Sequence, residues 1–393
     1  MSSANSTKKS SAHPFRWSGF DHQMMARALR QAKKGEFTAR PNPMVGCVIT
    51  QGEVLVGEGG HEQFGLAHAE VNALAMAGEK AQGATCYVTL EPCAHRGKTG
   101  PCAEALIKAG VGKVVAAMLD PNPKVAGKGF AILQDAGIKV EYGLLEAQAR
   151  AINPGFISAM ERGRPWVICK LAMSLDGRTA LANGQSKWIT GSQARADVQK
   201  LRARQDAIVT GVGTLLADNP SLTVRRQDTL YQLDDWFDKA QSKGFCLPAR
   251  ILLDRGGRAD FNAKLFARHS TSDRVIWVTD GAKCLETEGA EHSAQFRHVE
   301  QWQTPDSLLR LLERLTVNGF NQLMIEAGHK LSGAFFSAGL VDELVVYMAS
   351  KLMGDKAKGL MALEVLNMDE APELKLSDMR LLGDDIKLTY RVS

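Results

Sequence analysis

The sequence predicts a two-domain α/β protein, and three observations carry that prediction. Short apolar strands alternate with helix-length segments from about residue 44 to 143 and again from 166 onward, the pattern of layered α/β sheets. At 393 residues the chain is long for one hydrophobic core. Gly163-Arg164-Pro165 interrupts a helical, one-sidedly polar segment, so a polar disordered tail is expected at 1–18 and domains at 19–163 and 164–393.

Composition excludes several classes of function. Hydrophobic residues make up 45% and charged residues 23%, and no apolar run approaches the ~20 residues of a membrane span. A net charge of +5 is small for this length and argues little for nucleic acid. The seven cysteines are odd in number and scattered, unlike a secreted disulfide framework, and Met1 to Trp17 has no apolar signal core. A cytoplasmic protein is the expectation.

In chain order, Asp21 is expected to cap a helix that runs to Gly35 and carries Met24, Met25, Ala28 and Leu29 on one side. Pro41-Asn42-Pro43 opens a strand at 44–49, and a second strand lies near 54–57. Asn42 is either a reader of a base edge or a turn residue, and His61 is either a pocket residue or a loop histidine.

The stretch from His68 to Cys102 organises this half. It reads His68-Ala69-Glu70, a strand-like run 86–90, then Glu91-Pro92-Cys93 and, after eight intervening residues, Cys102. One imidazole and two thiolates suffice for a catalytic zinc, which keeps its fourth position open for water. Zinc lowers the pKa of that water from about 15.7 to roughly 7. Glu70, two residues after His68, is the expected general acid and base, as in the zinc-dependent nucleobase deaminases. The loop between the cysteines carries His95, Arg96, Lys98 and Thr99, which suits a larger, more anionic substrate than a free base. A fourth ligand from His95 would instead close the site and make it purely structural.

Helices at 103–109 and 129–136 and strands at 113–118 and 139–143 complete the first half. The second opens with a strand at 166–173, then a helix capped by Ser192 and a buried strand at 207–210 ending in Gly211-Val212-Gly213. Further strands are expected at 250–253, 274–279, 322–325, 343–349 and 387–392, with a surface insertion near 226–249. The apolar strand 343–349 is a candidate contact for a homo-oligomer. No Gly-x-Gly-x-x-Gly follows any strand. At Ile325-Glu326-Ala327-Gly328-His329-Lys330-Leu331-Ser332-Gly333-Ala334 a strand ends and a small-residue helix starts, a corner whose free N–H groups suit a dinucleotide pyrophosphate. Alternatively, Gly333 and Ala334 only permit close helix packing.

With His68-x-Glu70, Cys93-x8-Cys102 and the run Asp218-Asn219-Pro220-Ser221-Leu222-Thr223-Val224-Arg225, the chain resembles the bifunctional deaminase/reductase family of riboflavin biosynthesis from about Gly19 to Val392. The family's Thr-Pro-Pro-Cys reads Thr99-Gly100-Pro101-Cys102 here. The resemblance implies a cytidine-deaminase-like α/β/α sandwich followed by a dihydrofolate-reductase-like α/β domain, with Zn2+ and NADPH as cofactors. His68, Cys93 and Cys102 would be the metal ligands and Glu70 the proton shuttle. NADPH would lie against Ala172, Trp188, Thr214, Asp218 and the corner Gly328, His329, Lys330, Leu331, Ser332, Gly333 and Ala334. The substrate would meet Ser186, Arg202, Leu222, Arg225 and Glu326, with both arginines on its phosphate. Lys170 and Asp176 lie nearby without an assigned role. The implied partner is a small phosphorylated pyrimidine, deaminated at C2 and then reduced at its ribosyl group. Two other readings stand: a tRNA or DNA base deaminase with a C-terminal binding module, against which the lack of a basic, aromatic-rich stretch counts, and a non-catalytic zinc scaffold.

Overall fold

The computed structural model describes residues 15–94, 100–225, 236–270, 273–281 and 298–392. The chain divides into two compact units between Asn153 and Pro154. That division falls ten residues ahead of the Gly163-Arg164-Pro165 break, because the segment 145–163 is two helices rather than one. Asn153 ends the first of them and exchanges two hydrogen bonds with the backbone of Met44, accepting from its N–H at 2.8 Å and donating to its carbonyl at 2.9 Å.

The first unit contains, in order, α1 (Gly19–Ala32), β1 (Gly46–Gln51), β2 (Val54–Gly60), α2 (Ala69–Ala77), β3 (Thr85–Val88), α3 (Cys102–Lys108), β4 (Lys113–Ala116), α4 (Lys128–Asp135), β5 (Lys139–Tyr142) and α5 (Glu146–Ile152). The sheet order is β2-β1-β3-β4-β5, antiparallel around β1 and parallel from β3 to β5. Successive residues of a strand face opposite sides, and glycines here open both sides to helices. A Cβ at Gly46 would stand 1.9 Å from the Ala28 carbonyl oxygen of α1, and one at Gly57 would stand 2.2 Å from that of Ala73 in α2. Ala73, Leu106 and Leu133, from α2, α3 and α4, join one buried cluster on the α2 side. The unit is therefore an α/β/α sandwich. Ser18, not Asp21, caps α1: its hydroxyl accepts from the Asp21 N–H while the Asp21 carboxylate accepts from the Ser18 N–H, a capping box.

The second unit contains α6 (Pro154–Arg162), β6 (Trp166–Ser174), β7 (Arg178–Ala180), α7 (Ser192–Ala203), β8 (Ala207–Gly211), α8 (Val212–Asp218), α9 (Trp236–Ser242), β9 (Ala249–Leu253), β10 (Val275–Val278), β11 (Val299–Trp302), α10 (Leu308–Val317), β12 (Gln322–Ile325), α11 (His329–Ser337), β13 (Glu343–Ala349), β14 (Lys358–Gly359), β15 (Leu374–Leu382) and β16 (Asp385–Val392). Its main sheet runs β11-β10-β9-β8-β12-β6-β13-β16-β15. The first seven of these strands are parallel, and the β15–β16 hairpin closes the sheet antiparallel to β13. Leu311, Leu315 and Phe335 pack on one face, Ala194, Val198 and Leu201 on the other.

Three expectations need correction. Gly191 holds the N-cap position of α7 and Ser192 is its first residue, because the Gly191 N–H is taken by the Asp385 carboxylate at 2.6 Å. The strand 343–349 offers no surface for a dimer contact: it lies between β6 and β16, with Val345 and Tyr347 almost wholly buried. Of the insertion near 226–249, residues 226–235 lie outside the described residues, and α9 buries Trp236, Phe237 and Ala240. No helix among the described residues is long and apolar enough to cross a membrane.

Candidate active sites

Local chain geometry places the first site. His68 sits at the N-cap of α2, which puts Glu70 in the first helical turn, and Cys102 is the first residue of α3. Helix N-termini favour negative charge, which suits a thiolate at Cys93 beside the start of α3. The Cys102 N–H points at the Cys93 sulfur at 3.3 Å, and the Ala103 N–H bonds the Cys93 carbonyl at 3.3 Å.

His68 Nδ1 lies 3.2 Å from Cys102 Sγ and 3.6 Å from Cys93 Sγ, and the three ligand atoms lie within 4.8 Å of one another. Tetrahedral zinc, with Zn–S of about 2.3 Å and Zn–N of about 2.0 Å, requires ligand separations of about 3.5–3.8 Å. The donor set fits that ion in chemistry, and its atoms lie close to that spacing. The hydrogen bond from Cys102, aided by His68, holds the Cys93 thiol down at about 4, and the same bond with burial pushes Cys102 up. Glu70 is 3% exposed, and burial raises its carboxyl to about 7, with the Cys93 thiolate adding to the effect. His95, the candidate fourth ligand, lies outside the described residues, as do Arg96, Lys98 and Thr99.

His61 adjoins this site, and Asn42 is linked to it through His61. His61 is buried, its ring 5.3 Å from that of His68. Its Nδ1 donates to the Ala67 carbonyl at 3.1 Å, which leaves Nε2 to accept from the Asn42 amide at 3.2 Å. Burial lowers the His61 pKa, in keeping with that neutral tautomer.

The second site is a cavity of about 1050 Å³ at the carboxyl ends of the parallel strands of the second unit, where ligands of open α/β sheets bind. Its wall includes Ala172, Ser186, Trp188, Arg202, Thr214, Asp218, Leu222, Arg225, Glu326, Gly328, His329, Lys330, Leu331 and Ala334. Ser332 and Gly333 do not face it. Ser332 is fully buried with its hydroxyl donating to the Ala327 carbonyl, and a Cβ at Gly333 would stand 2.2 Å from the Ala362 carbonyl oxygen. At Gly333, then, the packing alternative holds.

The polar groups of the cavity are already organised. Ser186 donates to the Asp218 carboxylate at 2.9 Å, Lys187 donates to the Asp218 carbonyl at 2.8 Å, and the Gly328 N–H donates to Thr214 Oγ1 at 3.1 Å. Arg202 does not extend toward a free anion. Its guanidinium grips Glu326 through two bonds of 2.9 and 2.7 Å and gives a third to the Thr223 carbonyl at 3.1 Å. Lys170 stands 3.5 Å from the same carboxylate. Burial opposes the charge on Glu326, yet Arg202 and Lys170 hold its carboxyl down at about 2. Arg225 N–H bonds Gln199, and its guanidinium donates to the Ser221 hydroxyl at 3.0 Å. Asp176 is structural: it accepts from Ser174 Oγ at 2.5 Å and from the N–H of Gly354 at 2.7 Å.

Sequence reasoning missed the cations Lys187, Arg195, Arg258, Lys264 and Lys358, which also line the cavity. In all, nine Lys and Arg side chains face two carboxylates, Asp218 and Glu326. No spacing signal announces them, since they come from separate parts of the chain: Arg195 from α7, Lys358 from β14, and Lys187, Arg258 and Lys264 from connecting segments. Gly328 caps α11 without any side-chain bond, so the first N–H groups of that helix remain available to an anion.

A zinc-type deaminase fold with its ligand triad, followed by an α/β unit with a cationic cavity, defines a two-function deaminase and reductase. The cytidine and deoxycytidylate deaminase zinc-binding region matches residues 18–118, and the RibD C-terminal domain matches 165–388. The riboflavin biosynthesis protein RibD of Haemophilus influenzae is 48% identical over 377 residues, covering 95% of this chain and 98% of that protein. Its Escherichia coli counterpart is 45% identical over 373 residues, covering 94% and 98%. Among solved structures, Acinetobacter baumannii RibD superposes with a TM-score of 0.85 at 44% identity, covering 95% of this chain and 99% of that one. The Thermotoga maritima diaminohydroxyphosphoribosylaminopyrimidine deaminase/5-amino-6-(5-phosphoribosylamino)uracil reductase gives 0.80 at 30% identity, with the same coverage. The chain belongs to the RibD family and is a bifunctional enzyme of riboflavin biosynthesis with deaminase and reductase activities.

Proposed function

We propose that the first unit deaminates 2,5-diamino-6-(5-phosphoribosylamino)pyrimidin-4-one at C2, and that the second reduces the ribosyl group of the resulting 5-amino-6-(5-phosphoribosylamino)uracil to ribityl with NADPH. The observation that carries the first step is the triad of His68, Cys93 and Cys102 with the buried carboxyl of Glu70 beside it. Zinc held by that triad would supply a nucleophile by ionising its water near neutrality. Glu70 then takes a proton and delivers it to the exocyclic amine, which leaves as ammonia. Asn42, hydrogen-bonded to His61, would help orient the ring.

In the second unit the N–H groups at the start of α11 would hold the cofactor pyrophosphate, and bound NADPH would be the source of the hydride that reduces C1′ of the opened ribose. Ser332 and Gly333 contribute through the backbone and packing of that helix. Arg225 would bind the substrate phosphate, and Arg202 acts through Glu326, which it fixes in the cavity wall. Arg258 and Lys264, on the loop that follows β9, supply positive charge for the 2′-phosphate. Replacing both by Ala is expected to weaken NADPH binding by about tenfold or more, the order of one lost charge-assisted bond of 1.5–3 kcal/mol. NADH binding should change little, and titration by cofactor fluorescence measures both. The reading as a whole is tested by supplying the diaminopyrimidine phosphate with and without NADPH. The aminouracil alone should accumulate without cofactor and the ribityl product should form with it; an unchanged substrate would refute the proposal.

A further inference from the structure

Glu91, next to the Pro92-Cys93 pair, has no part in the chemistry above, yet it is a buried carboxylate, 5% exposed. One oxygen accepts from the N–H of Asp120 at 3.1 Å and of Gly127 at 2.9 Å. The other accepts from Gly129 at 2.8 Å and Phe130 at 3.4 Å. Gly127 is the N-cap of α4, so Glu91 satisfies the otherwise unpaired N–H groups of a helix remote from it in sequence. The fit to Pro92 is close too: a Cβ at Gly129 would stand 1.9 Å from the Pro92 carbonyl oxygen. The Glu91 N–H is itself bonded to the Met118 carbonyl at 3.0 Å, at the end of β4.

We propose that Glu91 is a positioning residue of the deaminase site: it locks Pro92-Cys93 against the start of α4 and thereby sets where the Cys93 sulfur stands relative to His68 and Cys102. The proposal rests on the reading of those three residues as zinc ligands. Its physical basis is that four N–H donors converge on two oxygens. Gln in this position cannot substitute, because whichever way its amide turns, an NH2 group faces two N–H donors. Asp is one methylene too short to span the same donors.

The test uses the full-length chain carrying Glu91→Gln. Zinc affinity is measured by competition with a chromophoric chelator, and the cobalt-substituted protein is examined for its thiolate-to-cobalt charge-transfer band. The expected result is zinc held about 10- to 100-fold less tightly, the usual cost of losing an outer-shell partner. The cobalt band should be altered, and reduction of pre-deaminated substrate should be unchanged as a sign of correct folding. A merely structural role would lower the unfolding temperature and leave the affinity and the cobalt spectrum of the folded protein intact. That outcome overturns the proposal. Should Glu91→Gln not fold, Gly129→Ala presses on the Pro92 carbonyl and is expected to weaken zinc binding in the same way. Wild-type affinity in that variant is equally fatal. A wild-type chain that took up no zinc would remove the ligand reading, and this proposal with it.

Discussion

Replacing Glu70 by Gln is expected to lower deamination by about 10²- to 10⁴-fold, the range that a positioned acid–base group contributes, and to leave reduction of already deaminated substrate at its wild-type rate. The carboxyl is buried at the first turn of α2 with a pKa raised to about 7. Such a group takes up and releases a proton near neutrality at little cost, which is what the two proton transfers at the ring and at the departing amine require. Gln keeps the shape and loses that capacity. Zinc content should remain that of the wild type, because Glu70 is not among the three ligands. Assaying each half reaction separately checks the result, and parallel loss of both would show that the two sites are not independent.

The second large effect is expected from Arg202→Ala. Its side chain is 9% exposed and that of Glu326 16%, and removing one partner of a buried pair typically costs about 3–5 kcal/mol, because the other charge is left uncompensated. Reduction should fall about 10²-fold or more through displacement of Glu326, while deamination persists. The loss should depend on pH. A carboxyl whose pKa drops from 4.5 to about 2 on folding contributes on the order of 3 kcal/mol. That contribution is fully present above the unfolded value and vanishes as pH falls through the folded one. The stability gap between wild type and variant, read by urea unfolding, should therefore narrow from about pH 5 to about pH 2. A gap that stays constant across this range would refute the charge-pair account.

How far the sequence alone reaches can be judged from these residues. The candidate deaminase site was legible because its residues fall in two short runs: one residue separates His68 from Glu70, and eight residues separate Cys93 from Cys102. The α11 corner was legible for the same reason. The partnership of Arg202 with Glu326 was not, since the two lie 124 positions apart and only the parallel order of β8, β12 and β6 brings their elements together. Glu91 was equally hidden: its partners are backbone groups, which leave no trace in side-chain identity. Among the strands, β15 escaped notice because it pairs on one side only and is largely exposed, so Lys375, Ser377, Asp378 and Arg380 interrupt any apolar pattern. In the fold as a whole, the continuously buried strands β1, β8, β9, β10 and β12 were found within a residue or two, the short strands β7, β11 and β14 went unpredicted, and caps were misplaced by one to three residues where a carboxylate had a distant or reciprocal partner.

The closing hairpin bears on how the chain survives its own synthesis. Until Leu374–Val392 arrives, the outer side of β13 has a row of bare amides and carbonyls flanked by Leu344 and Val346, an adhesive rim open to any passing strand. A nascent or truncated chain lacking those last residues would carry a nearly complete sheet with a sticky border, and crowding such intermediates together invites aggregation rather than assembly of the reductase half.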